Sequence, residues 1–278
     1  MSYRKKHVKT KIHRIRPKKS ILKKSWFWIL VLILLVISSF FYFLLFFPKF
    51  QVNNIIITGN QQVNTDDLKN FVFNAANTRL INFGILNLTT RSIFLVKLDR
   101  LNQEILEEFP LIGKVNISKS FPEGLVLGVI ERKPMAAYCV DEDSGPRCFL
   151  IDENGILFEQ LSADPENIAI VRQAFGENRV FVGEKALEKD IASIILKIQK
   201  NLKDNFQIDL REALITSPLR LDATTNENWQ IYFNISENPS IDSQLIKLDL
   251  LLKGEITAEA RKSLQYIDLR FKDRAFYK

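Results

Sequence analysis

The side chains that could carry chemistry are few, and their positions restrict what the chain can do. Histidine is the usual general base near neutral pH, and the two imidazoles, His7 and His13, both lie in a basic N-terminal stretch. If a membrane separates that stretch from the rest, as argued below, Ser-His-Asp and Cys-His catalysis are excluded on the far side, and no His or multi-Cys set has zinc spacing. Two thiols remain, Cys139 and Cys148. The segment between them, Asp141-Glu142-Asp143-Ser144-Gly145-Pro146, reads as a turn between two short strands, so the sulfurs could face each other across a hairpin as a disulfide. Two unpaired or buried small hydrophobes are the alternative. Neither G-x-x-x-x-G-K-[ST] nor G-x-G-x-x-G occurs, so a phosphate-cradling loop is not indicated. The carboxylate pairs Asp141 with Asp143 and Asp152 with Glu153 fall in expected turns and read as solvated turn residues. A wall-cleaving glycosidase would instead need a pair across a cleft. A Ser-Lys dyad stays open, because its members need not be adjacent in sequence. No cofactor, metal or small-molecule substrate is expected.

The elements that must position these groups begin with a membrane segment. Residues 26–47 contain no charge, and 17 of the 22 are Leu, Ile, Val or Phe. A helix of that length covers the roughly 30 Å hydrocarbon core, with Trp26 and Trp28 placed for the headgroup level. A cleaved signal peptide would have a shorter apolar region and a small-residue cleavage site, yet no alanine occurs before Ala75. Of the 39 cations, 11 precede the span and only Lys49 and Lys69 follow it closely, which predicts a cytoplasmic N-terminus and an extracytoplasmic remainder. That remainder holds 28 cations against 32 acids. The net charge of +7 therefore belongs to the tail, and nucleic-acid binding by the folded part is not expected.

Beyond the span, residues 50–58 read as a strand ending at Gly59-Asn60. Thr65 can cap a helix carrying Leu68, Phe71 and Val72; after a less periodic stretch over 77–96, Asp99 can cap a second that Pro110 stops. Residues 114–119 and 125–131 alternate as two strands around Phe121-Pro122-Glu123-Gly124. The order is β-α-α-β-β. Further on, 187–202 and 241–253 read as amphipathic helices and Trp229–Ile235 as a strand with one covered face. With no Gly-rich linker between the two parts, they are expected to form one elongated unit.

That order resembles the polypeptide-transport-associated (POTRA) fold, and the residues are similar to the version found in the bacterial FtsQ/DivIB family. The similar features are Val52 to Asn60, Phe109-Pro110-Leu111-Ile112, Ser118-Lys119-Ser120-Phe121-Pro122 and Glu131-Arg132-Lys133-Pro134. Leu150-Ile151-Asp152-Glu153-Asn154-Gly155-Ile156-Leu157-Phe158, with Asn154-Gly155 as a hairpin turn, and Tyr266-Ile267-Asp268-Leu269-Arg270-Phe271 are similar too. The expectation is an α+β protein with a cytoplasmic tail at 1–25, a transmembrane helix at 26–47, a POTRA domain at 48–134 and a C-terminal mixed β-sheet domain with helices at 135–278.

The resemblance implies a single-pass, type II protein of the cytoplasmic membrane that works at the division septum. It would be a non-enzymatic scaffold linking early and late division proteins and binding FtsB and FtsL. A membrane-anchored cell-wall enzyme with an unrecognised site, or a generic tethered binding module, are the alternatives. For the partner site, Ile267, Leu269 and Phe271 alternate with Tyr266, Asp268 and Arg270, which suits a strand with one face on the core. Little chain follows, so an open edge strand is expected there. The resemblance carries over most directly to Arg270 and Phe271, with Lys272, Asp273, Arg274, Ala275 and Phe276 continuing the edge.

Overall fold

The computed structural model describes residues 24–83, 86–142, 145–162, 167–175, 179–236 and 240–278. The basic tail lies outside these residues up to Lys23, as do Asp143 and Ser144 of the turn between the cysteines. Ser25–Phe46 forms α1, a 22-residue helix with no buried side chain. Among the described residues it is the one helix long and apolar enough to cross a membrane. It stops one residue short of the apolar run because Phe47 precedes Pro48. Proline disfavours the helical conformation in the residue before it, and Phe47 is extended at ψ 128°.

A short 3-10 turn, Pro48–Phe50, leads to β1 (Asn54–Thr58), a shorter strand than the expected 50–58. Gly59 turns the chain at φ +88°, where a Cβ would lie 2.3 Å from the Val129 carbonyl oxygen, so only glycine fits. The next helix, α2 (Thr65–Ala75), is capped by Asn64 rather than Thr65. The Asn64 side chain accepts from the Asp66 N–H at 2.8 Å, while the Thr65 hydroxyl is taken by Asn60. Leu68 and Val72 face inward. The less periodic stretch then contains a hairpin, β2 (Thr78–Phe83) and β3 (Leu86–Thr90), that pairs only with itself. Helix α3 (Leu98–Glu108) starts after Lys97 with no side-chain cap; Asp99 lies inside its first turn. Strands β4 (Ile112–Ser120) and β5 (Gly124–Glu131) complete a three-stranded sheet of order β1-β5-β4, with β1 parallel and β4 antiparallel to β5. The order is thus β-α-β-β-α-β-β. The extra hairpin escapes the sequence pattern because it contributes no strand to the sheet under the helices. One core joins Leu68, Val72, Leu101 and Ile105 of the helices to Leu125, Leu127 and Val129 of β5.

From Met135 onward the chain builds a second core. Strands β6 (Ala136–Glu142), β7 (Gly145–Ile151), β8 (Leu157–Gln160) and β9 (Ile170–Gln173) precede α4 (Lys189–Phe206). Then come β10 (Leu210–Ser217), β11 (Arg220–Thr225), β12 (Gln230–Asn234), α5 (Ile241–Gly254), the single turn α6 (Ala258–Arg261), β13 (Tyr266–Asp268) and β14 (Phe276–Tyr277). All nine strands form one mixed sheet, β14-β13-β12-β11-β10-β9-β6-β7-β8. Ala192, Ile195, Ile198 and Leu202 of α4 and Ile241, Leu245, Leu248 and Leu252 of α5 recur at helical spacing and cover one face. Trp229, Phe149 and Phe233 are fully enclosed beneath them, each stabilising the fold by roughly 1.5 to 3 kcal/mol.

Candidate partner-binding edge

The C-terminal strands differ from the expected open edge at β13. That strand ends at Asp268, and the chain turns through Leu269 to Ala275 and returns as β14, which pairs antiparallel with β13 in the register Ile267 to Tyr277 and Asp268 to Phe276. The run from Lys272 to Phe276 is therefore a turn and a returning strand, not a continuation of β13. The reason lies in Leu269 and Lys247. Leu269 is buried and donates its N–H to the Tyr232 carbonyl at 3.0 Å. The Lys247 ammonium on α5 donates to the Leu269 and Phe271 carbonyls and pins the turn. Burial lowers the Lys247 pKa, and the nearby Asp273 and Asp268 charges work against that.

The sheet consequently ends at β14. Lys278 exchanges both backbone bonds with Tyr266, N–H to carbonyl at 3.1 Å and carbonyl to N–H at 3.3 Å. Bonded and non-bonded pairs alternate along an antiparallel ladder. The N–H and C=O of Tyr277 accordingly face away from β13. They are the groups a further strand would meet.

Beside that edge lies an aromatic and charged surface on the sheet face opposite the helices. Tyr232 and Tyr266 stack at 5.6 Å across the parallel pairing of β12 with β13. Arg220 and Arg270 lie over the Tyr232 ring at 4.8 and 5.6 Å, and each is held by a carboxylate, Asp222 and Asp268. Burial would raise the Asp268 carboxyl, but its bonds from Arg270 and the charges of Arg270 and Arg220 outweigh this and hold it below the usual range. Phe271 and Phe276 meet edge to face at 5.2 Å, 46% and 47% exposed. The alternation places Phe271 on the core-facing side with Ile267 and Leu269, but the ring is exposed because the strand ends before it. No protein-family model and no curated protein matches the chain.

Of the expected partner residues, the turn brings together Arg270, Phe271 and Phe276; Lys272, Asp273 and Arg274 are exposed on its outside, and Ala275 packs against the core. Sequence reasoning gave Tyr232, Arg220 and Lys247 no place at this edge and named Tyr266 only for its face of the strand. The outward position of Tyr232 is visible in the alternation of Ile231, Tyr232 and Phe233, but its neighbours come from segments far along the chain.

The other chemistry-bearing groups lie elsewhere. Cys139 and Cys148, directly opposed in β6 and β7, form a disulfide that faces away from the helices and is packed under Leu161, Ile168 and Ile170. Asp141 pairs with Arg172 at 2.8 Å. Asp152 is not a solvated turn residue: it is 4% exposed, accepts the Asn154 and Ile156 N–H groups, and pairs with Arg132. Glu153 beside it is exposed. Among the described residues, no three His, Cys, Asp or Glu side chains are grouped to hold a metal ion.

Proposed function

We propose that this chain is a single-pass membrane scaffold of the bacterial divisome, of the FtsQ/DivIB type, that presents β14 and the surface around it to FtsB and FtsL. The observation that carries the reading is the exposed backbone pair of Tyr277 beside the Phe271 and Phe276 rings. An open strand edge supplies main-chain hydrogen bonds for β-augmentation, and adjacent aromatic rings supply anchors. The sheet order β1-β5-β4 with α2 and α3 on one face supports a POTRA assignment for residues 48–134, with β2 and β3 as an inserted hairpin. The separate core from Met135 onward supports a second domain at 135–278.

The apolar length of α1 and the 11 cations before it support a tail in the cytoplasm and folded domains outside. In this reading the protein performs no catalysis: both cysteines are tied in a disulfide, and both histidines precede α1. The deciding experiment is twofold. A fluorescent fusion to the full chain gathers at the division septum, and FtsB and FtsL co-purify with it from crosslinked cells. A uniform membrane distribution with neither partner recovered would refute the proposal, and cleavage of purified peptidoglycan would favour the cell-wall enzyme instead.

A further inference from the structure

The end of α1 is fastened to the first folded domain rather than hung from a linker. The last carbonyls of a helix have no partners within it, and at a bilayer boundary unpaired ones are expensive. Here Ser92 Oγ donates to the Leu44 carbonyl at 3.0 Å, while Gln51 Nε2 and Thr90 Oγ1 donate to the Leu45 carbonyl at 2.7 and 2.5 Å. Gln51 Oε1 in turn accepts the Arg91 N–H at 2.9 Å, and the backbones of residues 50–52 and 91–93 are joined by the Val52 to Arg91 and Ile93 to Phe50 bonds. Thr90 and Ser92 are buried by this arrangement. The direction of α1 therefore dictates how the domain sits.

A continuous series of aromatic rings leads outward from the same point. Phe43 in α1 contacts Phe47 at 4.3 Å and Phe50 at 5.9 Å; Phe50 contacts Phe94 at 5.3 Å, and Phe94 contacts Phe121 at 5.7 Å. The last two rings are 44% and 62% exposed. Phe121 lies at the tip of the β4–β5 turn, and Asn53 and Asn54 donate their N–H groups to the Glu123 carbonyl, which holds that turn beside the helix end. Lys49 and Lys119 lie in the same two segments, flanking the rings in sequence.

We propose that Phe94 and Phe121 form a second membrane contact, seating the first domain on the outer phospholipid surface so that α1 and the domain keep one fixed inclination. The proposal rests on the reading of α1 as a span. Given that, the end of α1 is at the outer interface, and the two rings are within two ring contacts of Phe50. The headgroup layer is roughly 5 to 8 Å thick on each side, so the rings are placed to enter it, and the exposed Lys49, next to Phe50 in the chain, can carry its ammonium group to the phosphates. Continuity with the spanning helix identifies the occupant as lipid.

The test uses the full chain, reconstituted in phosphatidylcholine vesicles, with its disulfide intact so that an added cysteine is the one free thiol. Spin labels go on Phe94→Cys, Phe121→Cys, Ile130→Cys and Leu35→Cys, and on Ser120→Cys in a Phe94→Ala/Phe121→Ala background beside Ser120→Cys alone. Ile130 is 55% exposed but six residues up β5 from the turn at Gly124, about 20 Å away. The expected result is a severalfold lower collision rate with a water-soluble nickel complex at 94 and 121 than at 130, with the Ser120 label losing protection when both rings are removed. Equal accessibility at 94, 121 and 130 with Leu35 protected would overturn the seat while leaving the span, and those rings would then be open to a protein. An unprotected Leu35 label would remove the span and the seat with it.

Discussion

Arg132 and Asp152 meet at 2.5 Å across the seam between the two cores, with side chains 10% and 6% exposed. The Arg132 Nε also donates to the Pro110 carbonyl at 2.8 Å, so one guanidinium ties the end of α3's loop to the turn between β7 and β8. Burial alone would raise the Asp152 carboxyl; the Ile156 N–H, the Arg132 hydrogen bond and charge, and Asn154 outweigh it and keep its pKa below the ordinary value.

Removing one partner of such a buried pair strands the other charge, which costs about 3 kcal/mol or more. Arg132→Ala is therefore expected to lower the unfolding free energy by about 3 kcal/mol, read from denaturant melts of the detergent-solubilised chain. A change below roughly 1 kcal/mol would mean that water already compensates Asp152 at this seam.

The acid response follows from the same group together with Asp268 and Glu131. Burial works to raise the Glu131 carboxyl, but it accepts the N–H groups of Val63, Gln61 and Gln62, and its pKa is lowered on balance. All three folded-state values are depressed. Their stabilisation is therefore fully present above the unfolded carboxylate pKa of about 4 and is lost as pH falls through the lower folded values. Thermal midpoints should hold near pH 6 and drop below about pH 4, and Asp152→Asn should flatten that drop. An unchanged acid limb in the variant would deny Asp152 a part in it.

Gly155 shows how far a sequence signal can reach. The Asn154-Gly155 pair marks a turn, and the turn is there, with Gly155 at φ +80° and Asp152 accepting from Asn154 and Ile156. What the dipeptide does not reveal is that a Cβ on Gly155 would lie 2.0 Å from the Leu187 carbonyl oxygen, in the segment leading into α4. Gly155→Ala combines a left-handed backbone with that clash and is expected to destabilise by about 2 kcal/mol or more. A loss under about 0.5 kcal/mol would show that the 185–187 segment yields easily.

Legibility elsewhere follows the same division between local and distant causes. The helices α2 to α5 are readable because buried residues recur at the helical period, from the single pair Leu68 and Val72 in α2 to Ala192, Ile195, Ile198 and Leu202 in α4. Caps are not, because adjacent Asn64 and Thr65 can both accept, and the Thr65 hydroxyl is taken by Asn60. The two-residue strand β14 falls below any periodicity, and the Lys272-Asp273-Arg274 run before it looks like a polar continuation of β13. The Tyr232 and Tyr266 stack depends on a parallel pairing across α5, which no local pattern encodes.

The disulfide closes a short loop, with Cys139 and Cys148 nine positions apart. On loop-closure grounds alone its removal costs about 2 to 3 kcal/mol. Because both sulfurs are covered by Leu161, Ile168 and Ile170, the Cys139→Ala/Cys148→Ala pair keeps an apolar contact that Cys139→Ser/Cys148→Ser loses. The serine pair should therefore be less stable than the alanine pair by about 1 kcal/mol or more. Equal melts for the two would place the site in contact with water.

The partner edge yields the sharpest prediction, because the outward and inward groups of β14 alternate residue by residue. Tyr277 directs its N–H away from β13, whereas Lys278 on one side is bonded to Tyr266. Proline at 277 thus removes a donor from the open edge without removing a bond from β13, whereas proline at 276 would break the pairing with Asp268. Tyr277→Ala is the necessary control: it loses the phenol and its contact with Glu255 at 3.2 Å but keeps the N–H. If FtsB adds a strand here, Tyr277→Pro weakens its binding by about 1 to 2 kcal/mol beyond Tyr277→Ala. Phe271→Ala and Phe276→Ala remove the exposed ring pair and should each weaken it by about 2 kcal/mol, roughly thirtyfold in Kd. The binding isotherms are measured with full-length protein in nanodiscs, with circular dichroism to verify the fold. If Pro and Ala at 277 bind FtsB equally, augmentation at β14 is wrong, and if the phenylalanine variants also bind normally, the partner site lies elsewhere on the molecule.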